Sequence, residues 1–325
     1  MKRSCKVLSL VLLVALLLPV FGCMHRIQED GIRETLPPIY PDEGIGRNVD
    51  VTLYFRLTDE ALLVPVKRTV SVRTNENTAE VVIRELIQGP DAIYSDLSGV
   101  LPSDAWIVDF SLEESGKIAY LTLNDAVLDK NKYGSSRSDQ ELAQRLGVYA
   151  MVNSLCALSN ITQVQIMVDT TGTGIGRRVS PFQFGFSSSE MSSDLMEPMG
   201  KTDAVIYTET KLVELAFSHL VEGEFTRAYR LFAEYEPGGL QKPDYAAFET
   251  EMLSLGTIDG YHVKDVRTAN APLNGAVDVD FEWTARSDGI TRTTSATLLL
   301  VPEGELFKLG YYSLTNAMQA SLQNE

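Results

Sequence analysis

The 325-residue chain is long enough for about two domains, and its 44% hydrophobic and 22% charged residues are typical of globular proteins. Its formal net charge of −16 opposes binding to nucleic acid, and an anionic membrane surface would repel the folded part. Three cysteines, of which only Cys156 lies deep in the chain, exclude a disulfide framework.

The first 22 residues have the pattern of an export signal. A basic start (Lys2, Arg3 and Lys6) precedes an apolar run of 14 residues, whereas a membrane-spanning helix needs about 20. Gly22 and Cys23 follow directly, and the segment resembles a bacterial lipoprotein signal. This resemblance implies cleavage between Gly22 and Cys23, acylation of Cys23 and a position on the extracytoplasmic face of the cell membrane. The alternative is an ordinary signal peptide with a chance cysteine.

Residues 23–48 are rich in proline and glycine and poor in apolar residues, which predicts a flexible tether. Without the three basic residues of the signal, the net charge becomes −19. Attachment to a membrane therefore has to come from lipid, where each buried CH₂ group contributes about 0.8 kcal/mol.

Residues 49–185 alternate strand and helix signals. Apolar, β-branched runs predict strands at 51–55, 62–72, 107–110, 118–123 and 164–168, with Pro65 placing the second at a sheet edge. Asn77 is a candidate N-cap for a helix that ends at Gly89 and Pro90. A capping box that begins at Ser138 predicts the start of a second helix.

Six short motifs follow one another through this region. They are Leu53-Tyr54-Phe55, Leu62-Leu63-Val64-Pro65, Leu86-Ile87-Gln88-Gly89-Pro90, Leu101-Pro102, Ala119-Tyr120-Leu121-Thr122-Leu123 and Val164-Gln165-Ile166-Met167-Val168-Asp169. In this order they resemble the GerM domain of sporulation and germination lipoproteins. The resemblance implies a non-enzymatic α/β fold similar to the ring-building modules of secretion and sporulation channels. Lys67 stands where the family often has an acidic residue before its arginine, here Arg68, so the partner of Arg68 stays open.

A serine-rich linker is predicted at 186–201, and a second domain at 202–318. Helical patterns come first, at 212–220, at 225–235 and after Asp244, which is a candidate N-cap. Strands follow at 261–268, 276–285, 291–301 and 306–313, and residues 319–325 are predicted to be a tail. Helices before an antiparallel meander indicate an α+β fold, and the opening segment resembles NTF2-like domains, in which a curved sheet wraps a long helix.

Two groups of residues are candidates for a binding site. Asp278, Asp280 and Glu282 share one face of a predicted strand, typical of a solvated outer face. The alternative is a cation site or an acid–base pair in a cavity, in which Asp280 would join Trp283 and Tyr311. The glycine-rich loop (residues 170–178) is followed by extended residues instead of the helix that a phosphate loop needs, which speaks against a nucleotide site. Arg177 and Arg178 in this loop are the clearest local basic spot on an acidic protein and are therefore a candidate partner contact.

No pair of histidines has metal-ligand spacing, so we predict no catalytic residue, cofactor or metal. We expect a non-catalytic lipoprotein that assembles an envelope complex, with protein partners and a capacity for self-association, linked by resemblance to sporulation or germination. A second hypothesis is a sensor that binds a ligand or peptidoglycan and signals to a membrane partner. A third is an enzyme, which a buried His219 facing Asp280 would favour over a His219 packed among leucines.

Overall fold

The computed structural model describes residues 46–187, 190, 193–267 and 275–323. The predicted signal and tether, with Gly22 and Cys23, lie outside the described residues. Within the described part of the chain, no helix has the length and apolar character needed to cross a membrane.

The first domain begins with a long antiparallel hairpin of strands β1 (Arg47–Leu57) and β2 (Leu63–Val72). Helix α1 (Thr78–Gln88) follows, and strand β3 (Leu97–Ser98) completes the sheet order β2–β1–β3. Pro65 lies in the edge strand β2, as predicted. The Asn77 side chain accepts a hydrogen bond from the backbone N–H of Ala79 at the start of α1, so this cap was also predicted correctly.

The second sheet of this domain has the order β4–β5–β6–β7. Strands β4 (Ile107–Leu112) and β5 (Ile118–Asn124) are antiparallel, and helix α2 (Arg137–Cys156) connects β5 to the parallel strand β6 (Gln163–Asp169). The predicted start of α2 at Ser138 was wrong by two residues. Ser136 is the N-cap, because its hydroxyl accepts from the N–H of Asp139.

Part of the predicted linker belongs to the folded core. Met196 is buried, and strand β7 (Met199–Gly200) pairs with the start of β6. A parallel bridge then joins Ile206 to Leu63 at the beginning of β2. Four serine-region positions, 188, 189, 191 and 192, lie outside the described residues. The segment between the domains is therefore held by backbone pairing at its C-terminal end.

The C-terminal domain combines four helices with an antiparallel meander. It contains α3 (Glu209–Glu222), α4 (Phe225–Arg230), the hairpin β8 (Tyr235–Glu236) and β9 (Leu240–Gln241), and α5 (Tyr245–Leu255). The meander follows as β10 (Gly256–Arg267), β11 (Gly275–Ala285), β12 (Thr291–Glu303) and β13 (Leu306–Leu309), and α6 (Tyr311–Gln323) comes last. The expected α+β class is confirmed. From Gly46 onward the chain forms one compact unit with a continuous apolar core.

Strand β10 begins at Gly256, five residues before the predicted start, and two further element boundaries in this domain differ from the sequence prediction for tertiary reasons. The helix that begins at Phe225 ends at Arg230, because Leu231 and Ala233 exchange backbone hydrogen bonds with Leu309 of β13. The last strand ends at Leu309, and α6 includes residues 319–323, which the sequence assigned to a tail. Both changes depend on partners more than 70 positions away in the chain.

Glu236 from the β8–β9 hairpin serves as a remote cap for α6. Its Oε1 atom accepts a hydrogen bond of 2.7 Å from the backbone N–H of Tyr312, in the first turn of the helix. Burial raises the pKa of Glu236 above its ordinary 4.5, although the N–H groups of Tyr312 and Tyr311 favour the charged form. The carboxyl group is therefore harder to ionise in the folded chain than in the unfolded one.

We expect Glu236→Gln to change how stability depends on pH. A carboxyl group with a raised folded pKa contributes stability below its unfolded pKa, and this contribution is lost as the pH rises through the folded pKa. As the pH rises from 4.5 through the raised pKa, the native chain should lose stability relative to the Gln variant. The difference between their free energies of unfolding should therefore shift in favour of the variant. Urea denaturation at a series of pH values measures this. The exposed control Glu305→Gln should keep the native profile, and parallel profiles for Glu236→Gln and the native chain would contradict the expectation.

Gly185 packs closely against the backbone of α2 near the end of the first domain. It has φ of 75° after the short turn Pro181–Phe184, and its carbonyl accepts a 2.7 Å hydrogen bond from Nη1 of Arg145. A Cβ atom at this position would overlap the backbone of Glu141. Only glycine can adopt this positive φ and also leave room for the backbone of Glu141.

Gly185→Ala should lower the free energy of unfolding by about 3 kcal/mol, from left-handed strain and overpacking together. Gly172 has φ of 67° but open space around its Cβ position, so Gly172→Ala should cost only about 1 kcal/mol. Chemical denaturation of both variants tests this. Equal losses of unfolding free energy in the two variants would show that the backbone near Glu141 can move aside for the new Cβ atom without a loss of stability.

Candidate functional site

The turn between β1 and β2 places a buried carboxylate against the C-terminal domain. Glu60 is 3% exposed. Its Oε2 atom accepts a 2.6 Å hydrogen bond from Nη2 of Arg227, and its Oε1 atom lies 3.1 Å from Nε of the same guanidinium. Nε2 of His219 is 3.0 Å from Oε1. We call Glu60, His219, Glu224 and Arg227 the Glu60 cluster; Arg227 also binds Oε2 of Glu224 at 2.7 Å.

Local backbone geometry presents Glu60 to these partners. Asp59 has a positive φ of 64°, which turns the chain tightly after β1. The buried Arg56 donates from Nε to the carbonyl of Glu60 at 2.9 Å. Asp59 accepts from Nη2 of Arg227 through its carbonyl and pairs with Arg230 at 2.6 Å through its carboxylate. Both residues of the turn thus bind α4.

The sequence left open whether His219 faces Asp280 or is packed among leucines. The structure confirms its burial but places it opposite Glu60, not Asp280. Glu60 itself was missed, because a charged residue in a hairpin turn is normally solvated and carries no signal of a partner 159 positions away. The arrangement that would have favoured an enzyme, His219 facing Asp280, is not formed.

The structure shows the acidic partners of Arg68, whose identity the sequence left open. Its guanidinium lies 2.8 Å from Glu85 of α1 and 3.1 Å from Asp91, and Nη2 donates to the carbonyl of Gly89. The same group stacks over the ring of Phe55 at 5.5 Å. Arg68 therefore joins β2 to the C-terminal end of α1 and has a structural role within the first domain.

The glycine-rich loop is organised by Asp169, the last residue of β6. This carboxylate accepts backbone hydrogen bonds from Thr171, Thr173 and Gly174, the shortest being 2.7 Å from Gly174. Burial raises the pKa of Asp169, but the hydrogen bonds from Gly174, Thr171 and Thr173 outweigh burial and hold the pKa below its ordinary value. An internal carboxylate already occupies these three N–H donors of the loop, so they cannot bind a phosphate.

Arg177 and Arg178, the predicted partner contact, have different surroundings. Both are exposed. Arg178 donates from Nε to the carbonyl of Met196 at 2.7 Å and so holds the segment after the first domain. Arg177 pairs with Val168 through its backbone. Of the two, Arg177 is the better placed to contact a partner, beside Ile175, which is 63% exposed.

The residues predicted to share a cavity do not come together. Trp283 and Tyr311 are fully buried inside the C-terminal domain, where Trp283 donates from Nε1 to Thr294 and Tyr311 donates from its hydroxyl to Glu251. Asp280 lies on the opposite face of β11, paired with Lys264 at 2.6 Å. Hydrogen bonds from Lys264 and Ser295 lower the pKa of Asp280, which keeps it ionised on the surface. The carboxylate row is therefore a solvated outer face.

Side chains fill the interior of the C-terminal domain. Aromatic rings from α3, α5, α6, β11 and the segment after α4 pack at centroid distances of 5.4–5.6 Å. The rings are Phe217, Phe232, Phe248, Phe281 and Tyr311. A pocket of 220 Å³ lies at the surface between α3, α5 and β10, and its lining is mainly apolar.

A groove of 450 Å³ lies between α1 and β4 in the first domain. Glu80, Arg84 and Ile87 form its helix side, and residues 105–110 form its strand side. Strand β4 is an edge of its sheet, and Trp106 at its start is 58% exposed. An open strand edge beside a large exposed aromatic side chain is suited to a protein partner.

Comparison with known proteins identifies the first domain. Residues 52–171 match the model of the Germane family, which is described as "Sporulation and spore germination". The resemblance to GerM proteins that the sequence motifs predicted is thereby confirmed for this part of the chain. A search of curated proteins found no match to the chain.

Several solved structures are similar to parts of the chain. The tandem GerMN domains of the sporulation protein GerM from Bacillus subtilis align over 50% of this chain with 16% identity and a TM-score of 0.33; the chain spans about half (48%) of that structure. An NTF2-like protein of unknown function from Shewanella oneidensis aligns over 31% of this chain and 89% of its own, with 15% identity and a TM-score of 0.24. A Δ5-3-ketosteroid isomerase from Mycobacterium sp. aligns over 31% of this chain and 88% of its own, with 14% identity and a TM-score of 0.24.

Glu60→Gln should destabilise the folded chain strongly. The substitution removes a buried negative charge that faces Arg227 and His219, and removing one partner of a buried ion pair costs about 3 kcal/mol. The neighbouring Asp59→Asn is the matched control, because it removes an exposed pair with Arg230 and should cost less than about 1 kcal/mol. Denaturant unfolding measures both, and equal small losses would mean that the Glu60 cluster contributes little net stability.

Proposed function

We propose that this protein is a lipoprotein, anchored through Cys23 on the extracytoplasmic face of the cell membrane, that assembles an envelope complex linked to sporulation or spore germination. The observation that carries the proposal is the Germane domain of residues 52–171. The lipoprotein-like signal before it supports the location. The net charge of −19 that the chain would have without its signal supports attachment by lipid instead of by a basic surface.

The groove between α1 and β4 is the proposed contact with a protein partner. An extended strand of the partner would pair with the free edge of β4, and Trp106 would pack against it. Arg177 at the exposed glycine-rich loop would add a charge contact with an acidic partner. Mixed polar and apolar lining is typical of interfaces that form between separately folded proteins.

The proposed role is non-catalytic. Ring packing inside the C-terminal domain leaves Trp283 and Tyr311 buried, and Asp280 is held in a surface ion pair. These contacts support a structural or docking role for this domain in preference to an enzymatic one.

A photo-cross-linking residue at position 106 tests the proposal in living cells of the source bacterium. We expect it to capture an envelope protein that mass spectrometry identifies, and we expect the same residue at the exposed position 114, in the β4–β5 turn, not to capture it. In a Cys23→Ala variant, the protein should leave the membrane fraction and the cross-link should weaken at least several-fold, because the anchor no longer concentrates the protein at the membrane.

Equal capture from positions 106 and 114 would contradict the proposed groove. Capture of wall polymer or of a signalling kinase alone would favour the sensor hypothesis instead. Unchanged membrane fractionation of the Cys23→Ala variant would contradict the lipid anchor.

A further inference from the structure

The second ring nitrogen of His219 is unpartnered. The side chain is 4% exposed and its Nε2 atom faces Glu60 at 3.0 Å. Its Nδ1 atom is buried and makes no hydrogen bond within the described structure, although Oε2 of Glu224 lies only 3.2 Å away. A buried polar atom without a partner is costly, so this nitrogen needs a physical explanation.

The end of α3 brings two carboxylates to this nitrogen. His219 lies in the last turn of the helix, and Gly223 then reverses the chain with φ of 71°. The backbone N–H of Glu224 consequently bonds to the carbonyl of His219 at 2.8 Å. One ligand atom each from His219, Glu222 and Glu224 lies within 4.8 Å of the others.

Glu60 determines which ring nitrogen is available. When Glu60 accepts the Nε2 proton, neutral imidazole presents a lone pair at Nδ1, towards two further carboxylates. The Nδ1 lone pair and the two carboxylates could therefore each offer one ligand atom to the same cation. A carboxylate that holds one imidazole nitrogen while the other binds a cation is the usual outer-sphere arrangement of histidine metal ligands.

We propose that His219 Nδ1, Glu222 and Glu224 form a site for a divalent transition metal of the Zn²⁺ type. An imidazole nitrogen with two carboxylates suits Zn²⁺ better than Mg²⁺ or Ca²⁺, which prefer oxygen ligands alone. Three protein ligands leave a position for water. The site goes beyond the proposed role in envelope assembly and does not rest on it.

The neighbouring contacts determine how the metal would bind. Oε2 of Glu224, which lies 3.2 Å from Nδ1, also accepts from Arg227 at 2.7 Å, so the metal would share this carboxylate with the guanidinium. Glu222 is exposed and its Oε1 atom accepts a 3.3 Å hydrogen bond from Ser218, which leaves its second oxygen available. A bound metal would join the end of α3 to the start of α4 and, through His219 and Glu60, reinforce the contact with the β1–β2 turn.

Zinc binding to the full chain, purified in detergent and stripped with a chelator, tests the site. Calorimetry should show one Zn²⁺ per chain, and Co²⁺ should give visible absorption typical of nitrogen and oxygen ligands. Glu222→Gln should weaken Zn²⁺ binding at least about 10-fold, because it removes a direct ligand. Glu222 is exposed, so this variant should fold normally, which circular dichroism checks.

Glu214→Gln is the matched control, since Glu214 is an exposed carboxylate on the same helix. It should bind Zn²⁺ as the native chain does, and Zn²⁺ should raise Tm in both but not in Glu222→Gln. The proposal is overturned if the native chain binds Zn²⁺ no more tightly than Glu222→Gln, or if Mg²⁺ binds as well as Zn²⁺.

Discussion

The buried carboxylate of Glu60 joins the β1–β2 turn to helices α3 and α4 of the C-terminal domain. Glu60 projects from the β1–β2 turn into the C-terminal domain, where Arg227 and His219 both bind it. Its burial requires both partners, since an unpaired charge at 3% exposure would be too costly to keep. The position of α3 and α4 against the first domain therefore depends on this contact, together with the pair between Lys308 and Asp96 at 2.7 Å.

The distribution of satisfied and unsatisfied polar groups indicates where this protein can interact. Asp169 occupies backbone donors of the glycine-rich loop, and Lys264 neutralises Asp280 on the outer face of the sheet. Aromatic rings fill the interior of the C-terminal domain. In contrast, the edge of β4 beside Trp106 is open, and Nδ1 of His219 lacks a hydrogen-bond partner among the described residues. One feature suits a protein partner and the other suits a cation.

Secondary structure was predictable at most positions where the signal is local. The Asn77 cap, the Pro65 edge strand and the Asp244 cap each act within a few residues of their own position, and all three were correct. The start of α2 is the exception, since Ser136 and not Ser138 caps it. The larger errors occurred where distant residues decide. The helix after Phe225 ends early because β13 pairs with the following segment, and α6 begins where Glu236 caps it. Neither partner can be recognised from the sequence around these positions.

The sequence alone determined the class of the protein: its two-part α+β organisation, its acidic charge and the Germane motifs all follow from residue order. It also indicated that the carboxylates of β11 alternate with buried apolar residues, because strand periodicity has a repeat of two. The tertiary structure alone decided which polar groups meet. Glu60 and His219 are 159 positions apart, and His219 joins Glu224 only because Gly223 reverses the chain. Such contacts depend on how whole elements pack, and no local pattern encodes them.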